Sequence, residues 1–264
     1  MPRNSGIAWL TTLSLDAPLV CVAWQHLVAF EQGQPIAWHH RFLVFASVWL
    51  GYSADRWFDA WRHKANVSHR HRFFYEHRWG LFITWLGVLT ISLTVALRLL
   101  SGSELQAGLQ LAIASIGVTT IVQFIPLRVF QTLLKSLLTA GLVTASVLLF
   151  APPASGTEGL ASACLLGSLF ATNCCLIHYW DWTIDTLQEA DPVRSRRQKS
   201  LLLCSSVCCL SLLWFRHSPL ALPVAICLIC LAGLHLARRS IRDDTRRTWA
   251  DLCLAGPPIL AMWL

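Results

Sequence analysis

The sequence predicts an all-α membrane protein, a polytopic bundle of about nine transmembrane helices that forms one domain over residues 1–264. The first observation behind this prediction is composition: 55% of the residues are hydrophobic and only 13% are charged, whereas a soluble domain of this length is nearer a quarter charged. The second is that apolar runs recur along the whole chain, at about the 20 residues that a membrane-spanning helix needs. The third is that the positive charges lie in short segments between these runs.

The predicted helices follow the apolar runs in order. They lie near residues 7–30, 42–59, 79–100, 105–125, 130–150, 159–183, 200–216, 219–238 and 246–263. Stretches rich in Gly, Pro and Ser, such as "EQGQP", "SGSE" and "APPASGTEG", separate them. Asp16 precedes Pro18 within the first run, which is a helix-start signature. The first helix is therefore either broken near Asp16 or begins there.

The distribution of Lys and Arg predicts the orientation of these helices. With nine spans, the N-terminus and every second loop lie on one side of the membrane, and all Lys and Arg except Arg41, Arg98 and Arg216 fall on that side. Such an excess marks the cytoplasmic face. The prediction is a multi-pass protein of the inner or plasma membrane with a cytoplasmic N-terminus. The net charge of +7 is then a topology signal, and no nucleic-acid partner is predicted.

Two pairs of acids at predicted cytoplasmic helix ends need an explanation. Asp55 and Asp59 lie in "GYSADRWFDAWR" after the second run, and Asp181 and Asp185 lie in "NCCLIHYWDWTID" after the sixth. Each pair is spaced i, i+4 and so shares one helix face. Carboxylates converging at helix C-termini repel one another, and Mg²⁺ relieves this repulsion because it prefers oxygen ligands and bridges carboxylates to a diphosphate. The four Asp are therefore predicted to be metal ligands and catalytic residues.

Ordinary ion pairs are the alternative for each acid. Asp55 has Arg56 and Arg62 within reach along its helix, and Asp185 has Arg194 in the following loop. The spacing favours Mg²⁺ because the DxxxD pattern occurs twice at helix ends on the same side. Asp251 has Arg247 four residues before it, and an i, i−4 pair explains it without catalysis.

The arrangement resembles the UbiA superfamily of intramembrane prenyltransferases, nine-helix bundles with an NxxxDxxxD motif after helix 2 and a DxxxD motif after helix 6. "GYSADRWFD" and "DWTID" supply the four Asp at these two places. Gly51 stands where the family has Asn, and Trp180 where it often has Lys. The resemblance implies that the four Asp bind Mg²⁺ and the diphosphate of a polyprenyl donor. It also implies that the allylic C–O bond ionises away from water and that an aromatic or other lipophilic acceptor captures the cation.

Basic and polar residues near the motifs are candidates for substrate binding. Those predicted to contact diphosphate are Arg62, Lys64, Arg70, Arg72, Arg128 and Lys135. Those predicted to contact diphosphate or substrate are Tyr52, Tyr179 and Asn173. Each has a structural alternative: Lys135 snorkels to the membrane surface, the tyrosines are interfacial, and Asn173 holds a neighbouring helix.

Three functions remain open on the sequence alone. The leading prediction is a Mg²⁺-dependent prenyltransferase whose partners are a polyprenyl diphosphate, a lipophilic acceptor and membrane lipids. A membrane terpene cyclase would use the same ionisation but capture the cation within its own substrate. A non-catalytic UbiA-like protein would use the acids to bind an ion or a lipid headgroup.

Overall fold

A computed structural model describes residues 8–62, 73–74, 76–124, 131–151, 156–185, 191–241 and 243–261. This part of the chain contains ten α-helices and no strand. The helices are α1 Ala8–Thr12, α2 Asp16–Glu31, α3 Trp38–Arg62, α4 Arg78–Leu99, α5 Gly102–Phe124, α6 Gln131–Leu148, α7 Thr157–Asp185, α8 Asp191–Trp214, α9 Ala221–Leu236 and α10 Asp243–Ala261. A short 3₁₀ turn, Ala237–Arg239, follows α9. The prediction of an all-α protein is confirmed for these residues.

The first predicted helix is broken. Ser14 adopts a left-handed backbone conformation with φ of 60°, which ends the regular helix of α1, and α2 begins two residues later at Asp16. Asp16 also accepts a hydrogen bond from the backbone N–H of Ala17 (3.0 Å). A carboxylate at a helix N-terminus is stabilised by the helix dipole, so Asp16 fixes the start of α2.

Helix α8 begins earlier than its apolar run, residues 200–216, predicts. The run starts at residue 200, but α8 begins at Asp191, so the basic segment around Arg197 is the first part of a helix rather than a loop. Hydropathy marks only the apolar part of a helix and misses a charged first turn. The Asp191–Pro192 start suits a helix N-terminus, because the acid complements the dipole and proline has no N–H to leave unpaired.

Two helices of the described chain are long and apolar enough to cross a membrane. They are Arg78–Leu99 and the Thr157–Trp180 part of α7, with mean hydropathy of 2.0 and 1.8. Leu133–Leu148 and Ala221–Leu236 are apolar but shorter. The prediction of nine spans is therefore met only in part within the described residues.

The core lies where α2 and α7 pass each other among α3, α6, α8 and α10. Trp24 of α2 has no exposed surface, and its indole N–H donates to the Leu254 carbonyl of α10 (3.1 Å). Its ring meets Phe170 of α7 edge-on at a centroid distance of 6.4 Å. α7 packs between α6 and α8, while α10 packs against α2 and α9. This packing brings the ends of several helices together at one end of the bundle.

Helices α4 and α5 lie at the periphery. No side chain that the structure describes in either helix is buried. α4 is tied to α3 by a hydrogen bond from the Trp85 indole N–H to the Leu50 carbonyl (3.1 Å). Large apolar side chains face outward on both helices, among them Ile83 at 69% and Ile116 at 68% exposure. Such a continuous apolar exterior is unusual for a protein in water.

Glu104 of α5 contacts neighbouring helices at the end of the bundle opposite the Asp motifs. Ser101 donates to Glu104 Oε2 from its hydroxyl (2.6 Å) and its backbone N–H (2.8 Å), which forms the capping box of α5. Glu104 Oε1 also lies 3.1 Å from His40 Nε2 of α3. The His40 ring stacks on Phe150 beyond the end of α6, at a centroid distance of 4.6 Å. This contact set joins three helices.

Low pH is expected to weaken the contacts that Glu104 makes with Ser101 and His40. The Ser101 hydroxyl and backbone N–H hold the pKa of Glu104 below its ordinary value of 4.5. A lowered folded-state pKa gives stability that is present above pH 4.5 and is lost as the pH falls through the lowered value. Thermal unfolding of the wild type and Glu104→Gln between pH 6 and pH 3 tests this expectation: the stability advantage of the wild type should shrink below about pH 4.5.

The control for this experiment is Glu158→Gln, because Glu158 is an exposed acid in the first turn of α7. It should follow the wild-type profile. Parallel curves for the wild type and Glu104→Gln over the whole pH range would contradict the assignment.

Candidate functional site

The two Asp motifs lie at the end of the bundle where α3 and α7 terminate and α6 and α8 begin. Asp55 and Asp59 occupy the last turns of α3, and α7 ends at Asp185. Both motifs are helical in the structure, so the backbone positions of each i, i+4 pair share one helix face. The side chain of Asp55 is described. Those of Asp59, Asp181 and Asp185 lie outside the described side chains.

Asp55 is in contact with Lys135. Lys135 Nζ of α6 lies 3.7 Å from Asp55 Oδ2, and both side chains are partly exposed. The sequence alternative of an Asp55–Arg56 pair is not formed, because Arg56 turns to Asp16, with its Nη2 4.0 Å from Asp16 Oδ1. The alternative with Arg62 falls outside the described side chains. The structure thus places Lys135, predicted as a diphosphate ligand, beside the first motif.

Cationic side chains also surround His178, which lies three residues before the second motif. Lys135, Arg197 and Arg247 are all close enough to act electrostatically on His178 of α7. Arg197 Nη1 donates to the His178 carbonyl (2.7 Å). Asp181 follows His178 by three residues, so the carbonyl that Arg197 contacts lies one helical turn before the second motif.

α6 connects the two motif helices. Ser136, the residue after Lys135, has its Oγ 3.5 Å from His178 Nδ1. The same ring nitrogen lies 2.8 Å from the Cys174 carbonyl, to which it donates as the N–H tautomer. Neighbouring residues of α6 therefore contact α3 through Asp55 and α7 through His178.

A cavity of about 30 Å³ lies between α2, α3, α6, α7 and α10. Its polar lining includes Tyr52, Asn173 and Asp251. Asn173 is only 6% exposed, and its Oδ1 has no hydrogen-bond partner. A polar cavity needs roughly 10–15 Å³ to hold one water, so this one has room for one or two hydroxyl-sized groups. Tyr52 and Asn173 were predicted substrate contacts, whereas Asp251 was not.

The cavity lies one to two helical turns from each Asp motif, measured along α3 and α7. Tyr52 precedes Asp55 by three residues, and Cys174, which also lines the cavity, precedes Asp181 by seven. Residues three or seven positions apart lie on the same face of a helix, so Tyr52 shares a face with Asp55, and Cys174 shares one with Asp181. The faces that carry the two motifs are thus the faces that border the cavity one to two turns away.

Tyr179 and Trp180 belong to a different face of α7. Both are buried, and the Trp180 indole N–H donates to His235 Nδ1 of α9 (3.2 Å). The Tyr179 ring lies 5.6 Å from the His235 ring. Neither residue lines the cavity. Tyr179, a predicted substrate contact, therefore packs against α9, whereas the predicted contacts Tyr52 and Asn173 line the cavity.

Asp251 belongs to a polar cluster that the sequence interpretation missed. Its carboxyl group lies close to that of Asp16, and the charges of Arg247 and Arg56 act on it. Arg56 also donates to the Thr11 carbonyl. The sequence interpretation paired Asp251 with Arg247 alone, which accounts for only part of this cluster. The missed signal is that Asp16 and Asp251 are both acids within apolar runs.

The predicted magnesium ligands can be compared with the structure only at Asp55. The described residues contain no group of three or more His, Cys, Asp or Glu side chains that could hold a metal ion. Three of the four predicted carboxylates lie outside the described side chains. The same is true of the predicted diphosphate contacts Arg62, Lys64, Arg70, Arg72 and Arg128. The metal site stays a prediction.

The chain matches no protein-family model, and no curated protein or solved structure matches it at a significant level. The resemblance to the UbiA superfamily therefore depends on the two Asp motifs and the helix pattern.

Proposed function

We propose that the protein is a Mg²⁺-dependent intramembrane prenyltransferase that ionises a polyprenyl diphosphate and transfers the prenyl group to an aromatic or other lipophilic acceptor. One observation carries the proposal: the helix faces that bear the two DxxxD motifs border the same cavity, and Lys135 and Ser136 of α6 contact both motif helices. In this proposal, the two acid pairs bind one shared diphosphate rather than forming two separate sets of ion pairs.

In this proposal, Asp55, Asp59, Asp181 and Asp185 hold the metal. All four offer carboxylate oxygen, the ligand type that Mg²⁺ prefers. The bound ion supplies charge neutralisation at the departing diphosphate. Lys135, Arg197 and Arg247 supply further positive charge around His178 of α7, and charge-assisted hydrogen bonds from such groups to phosphate oxygens are strong. The cavity is too small for a prenyl chain, which we assign to the apolar faces that α4 and α5 leave exposed.

The proposal includes a membrane bundle of nine spans with the Asp motifs on the cytoplasmic side. α4 and α5 support it by exposing apolar side chains without any buried face. α8 and α9 support it as well, with Leu213 at 71% and Ile229 at 70% exposure. In lipid, these surfaces carry no hydrophobic penalty. The excess of Lys and Arg on one side gives the orientation.

Isotope-labelled prenyl diphosphates of several chain lengths test the proposed activity. The full chain, reconstituted in lipid nanodiscs, should consume at least one of them when Mg²⁺ is present and not when it is chelated. A labelled adduct with an added aromatic acceptor indicates transfer, whereas release of diphosphate with a cyclised hydrocarbon indicates the cyclase. If a folded sample consumed none of the prenyl diphosphates, the result would contradict both prenyl transfer and cyclisation.

Replacing Lys135 separates a functional from a structural role. Its ion pair with Asp55 is partly exposed, so Lys135→Met should change the free energy of unfolding by less than about 1 kcal/mol. The variant should nevertheless raise the KM for prenyl diphosphate by about tenfold, the equivalent of one charge-assisted contact. Lys135→Arg should recover most of the affinity. Steady-state kinetics and thermal unfolding in detergent measure the two effects.

The matched control is Lys199→Met, because Lys199 is an exposed lysine near the start of α8. It should leave both quantities near the wild-type values. If Lys135→Met and Lys199→Met gave the same KM, Lys135 would have no part in diphosphate binding.

A further inference from the structure

Two buried cysteines of neighbouring helices are in contact through their sulfur atoms. Cys175 of α7 and Cys204 of α8 place their Sγ atoms 3.6 Å apart, and both are free thiols. Their exposure is only 1% and 4%. A single buried cysteine behaves as a small apolar residue and needs no further explanation. Two sulfurs that meet across a helix interface can also react with each other, because a disulfide needs only this pair of atoms.

The packing of α7 on α8 holds the two thiols opposite each other. Arg197 Nη1 of α8 donates to the His178 carbonyl of α7 (2.7 Å). His178 lies three residues after Cys175, and Arg197 lies seven residues before Cys204. Residues three or seven positions apart share a helix face, so both contacts belong to one interface between antiparallel helices. The contact of the sulfurs is therefore part of an ordered interface.

A disulfide between these thiols requires only a local movement. Bonded sulfurs lie about 2.05 Å apart, so the separation of 3.6 Å has to shorten. Rotation of the two side chains about their Cα–Cβ bonds moves the sulfurs without moving the helix backbone. Cys175 and Cys204 are 29 residues apart in the sequence, so the bond would close a long loop.

We propose that Cys175 and Cys204 form an oxidation site, which an apolar organic hydroperoxide converts into a disulfide. One thiol sulfur attacks the terminal oxygen of the hydroperoxide, the O–O bond breaks, and the alkoxide leaves with the thiol proton as an alcohol. The second thiol attacks the resulting sulfenic sulfur, the S–O bond breaks, and hydroxide leaves with the second proton as water. The two cysteines lose two electrons, and the hydroperoxide gains them.

The surroundings of Cys204 favour an apolar oxidant over a polar one. Leu203 and Val207 of the same helix are exposed and belong to its apolar outer surface. A polar oxidant has to give up its hydration to reach thiols that are buried behind such a surface. Access from lipid depends on the membrane setting proposed above, whereas the pairing of the two thiols does not.

The experiment treats the full chain in lipid nanodiscs with cumene hydroperoxide. Remaining thiols are then blocked with N-ethylmaleimide, and tryptic peptides are analysed by mass spectrometry without reduction. Trypsin cleaves between the two cysteines and leaves them in separate peptides, residues 136–194 and 200–216. The wild type should give these peptides joined by a bond that a reductant cleaves, with fragment ions that place it at Cys175 and Cys204. Hydrogen peroxide at the same concentration should give a lower yield.

Cys204→Ala and Cys175→Ala should each lose this crosslink. Cys208→Ala is the matched control, because Cys208 lies one turn further along α8 and has no exposed surface. It should keep the crosslink. All three substitutions remove one buried sulfur atom, so a general loss of packing would affect them alike, whereas only the first two remove a member of the pair.

Thermal unfolding shows whether the bond forms in the folded protein. Oxidation should raise the unfolding temperature of the wild type by about 5 °C or more, because a bond that closes a loop of this length restricts the unfolded chain. Oxidised Cys204→Ala should show no such rise.

Three results would overturn the proposal: no joined peptides from the wild type, the same joined peptides from Cys204→Ala, or a crosslink without a rise in unfolding temperature. Equal yields from the two peroxides would overturn the choice of an apolar oxidant. None of these measurements uses a prenyl diphosphate, so the oxidation site and the proposed prenyltransferase are tested separately.

Discussion

Asp55→Asn is expected to lower the rate of Mg²⁺-dependent diphosphate release by about 100-fold or more. The change removes one negative charge from the proposed metal site and keeps the shape of the side chain. A metal ion contributes several kcal/mol to stabilisation of the developing charge, and each 1.36 kcal/mol is worth a factor of ten in rate. Because Asp55 is partly exposed and its ion pair with Lys135 is of the weak kind, the fold should tolerate the substitution.

The measurement is release of labelled diphosphate at saturating prenyl diphosphate, with thermal unfolding as a check on folding. Glu158→Gln is the control, since it removes one exposed carboxylate near the other end of the bundle, in the first turn of α7. It should retain activity. An Asp55→Asn variant with wild-type turnover would remove the first motif from the mechanism and leave its contact with Lys135 as an ordinary ion pair.

Trp24→Ala is expected to have the largest effect on stability, a loss of about 3–5 kcal/mol in the free energy of unfolding. Trp24 is fully buried between α7 and α10. Its removal opens a cavity beside Phe170 and leaves the Leu254 carbonyl with only the weak Cys227 thiol donor, at 3.8 Å. Phe170 and Leu254 also line the polar cavity, so the substitution should alter the shape of that cavity as well.

Unfolding of Trp24→Ala and Trp214→Ala in mixed detergent micelles measures this contribution. Trp214 lies at the end of α8 with 83% of its surface exposed, so its loss should change stability by no more than about 0.5 kcal/mol. Similar losses for the two variants would show that Trp24 does not anchor the core.

Much of the helix pattern could be predicted from the sequence. Hydropathy locates the interior of each helix, and the Asp16–Pro18 signature located the start of α2. The same measure could not locate the start of α8, because its first turns are charged while remaining helical. Of the nine predicted spans, two correspond to helices of the described chain that are long and apolar enough to cross a membrane.

The candidate site was predicted where one helix supplied a repeated pattern and missed where distant helices met. The i, i+4 spacing of Asp55 and Asp59 is a property of one helix and can be read directly. The contact of Asp16 with Asp251 joins α2 to α10 across most of the chain, and no local spacing predicts it. For Lys135, the sequence indicates a basic residue near the predicted cytoplasmic surface. It does not identify the partner, because Asp55 lies on another helix.

A structure of the full chain with Mg²⁺ and a prenyl thiodiphosphate, whose carbon–sulfur bond resists ionisation, tests most directly whether the two Asp motifs share one diphosphate. We expect one diphosphate bridged by magnesium to carboxylates of both motifs, with Asp55 and Asp181 at ligand distances of about 2.1 Å from the ions. Carboxylates of Asp55 and Asp181 separated by more than about 15 Å, too far for one magnesium-bridged diphosphate, would contradict it.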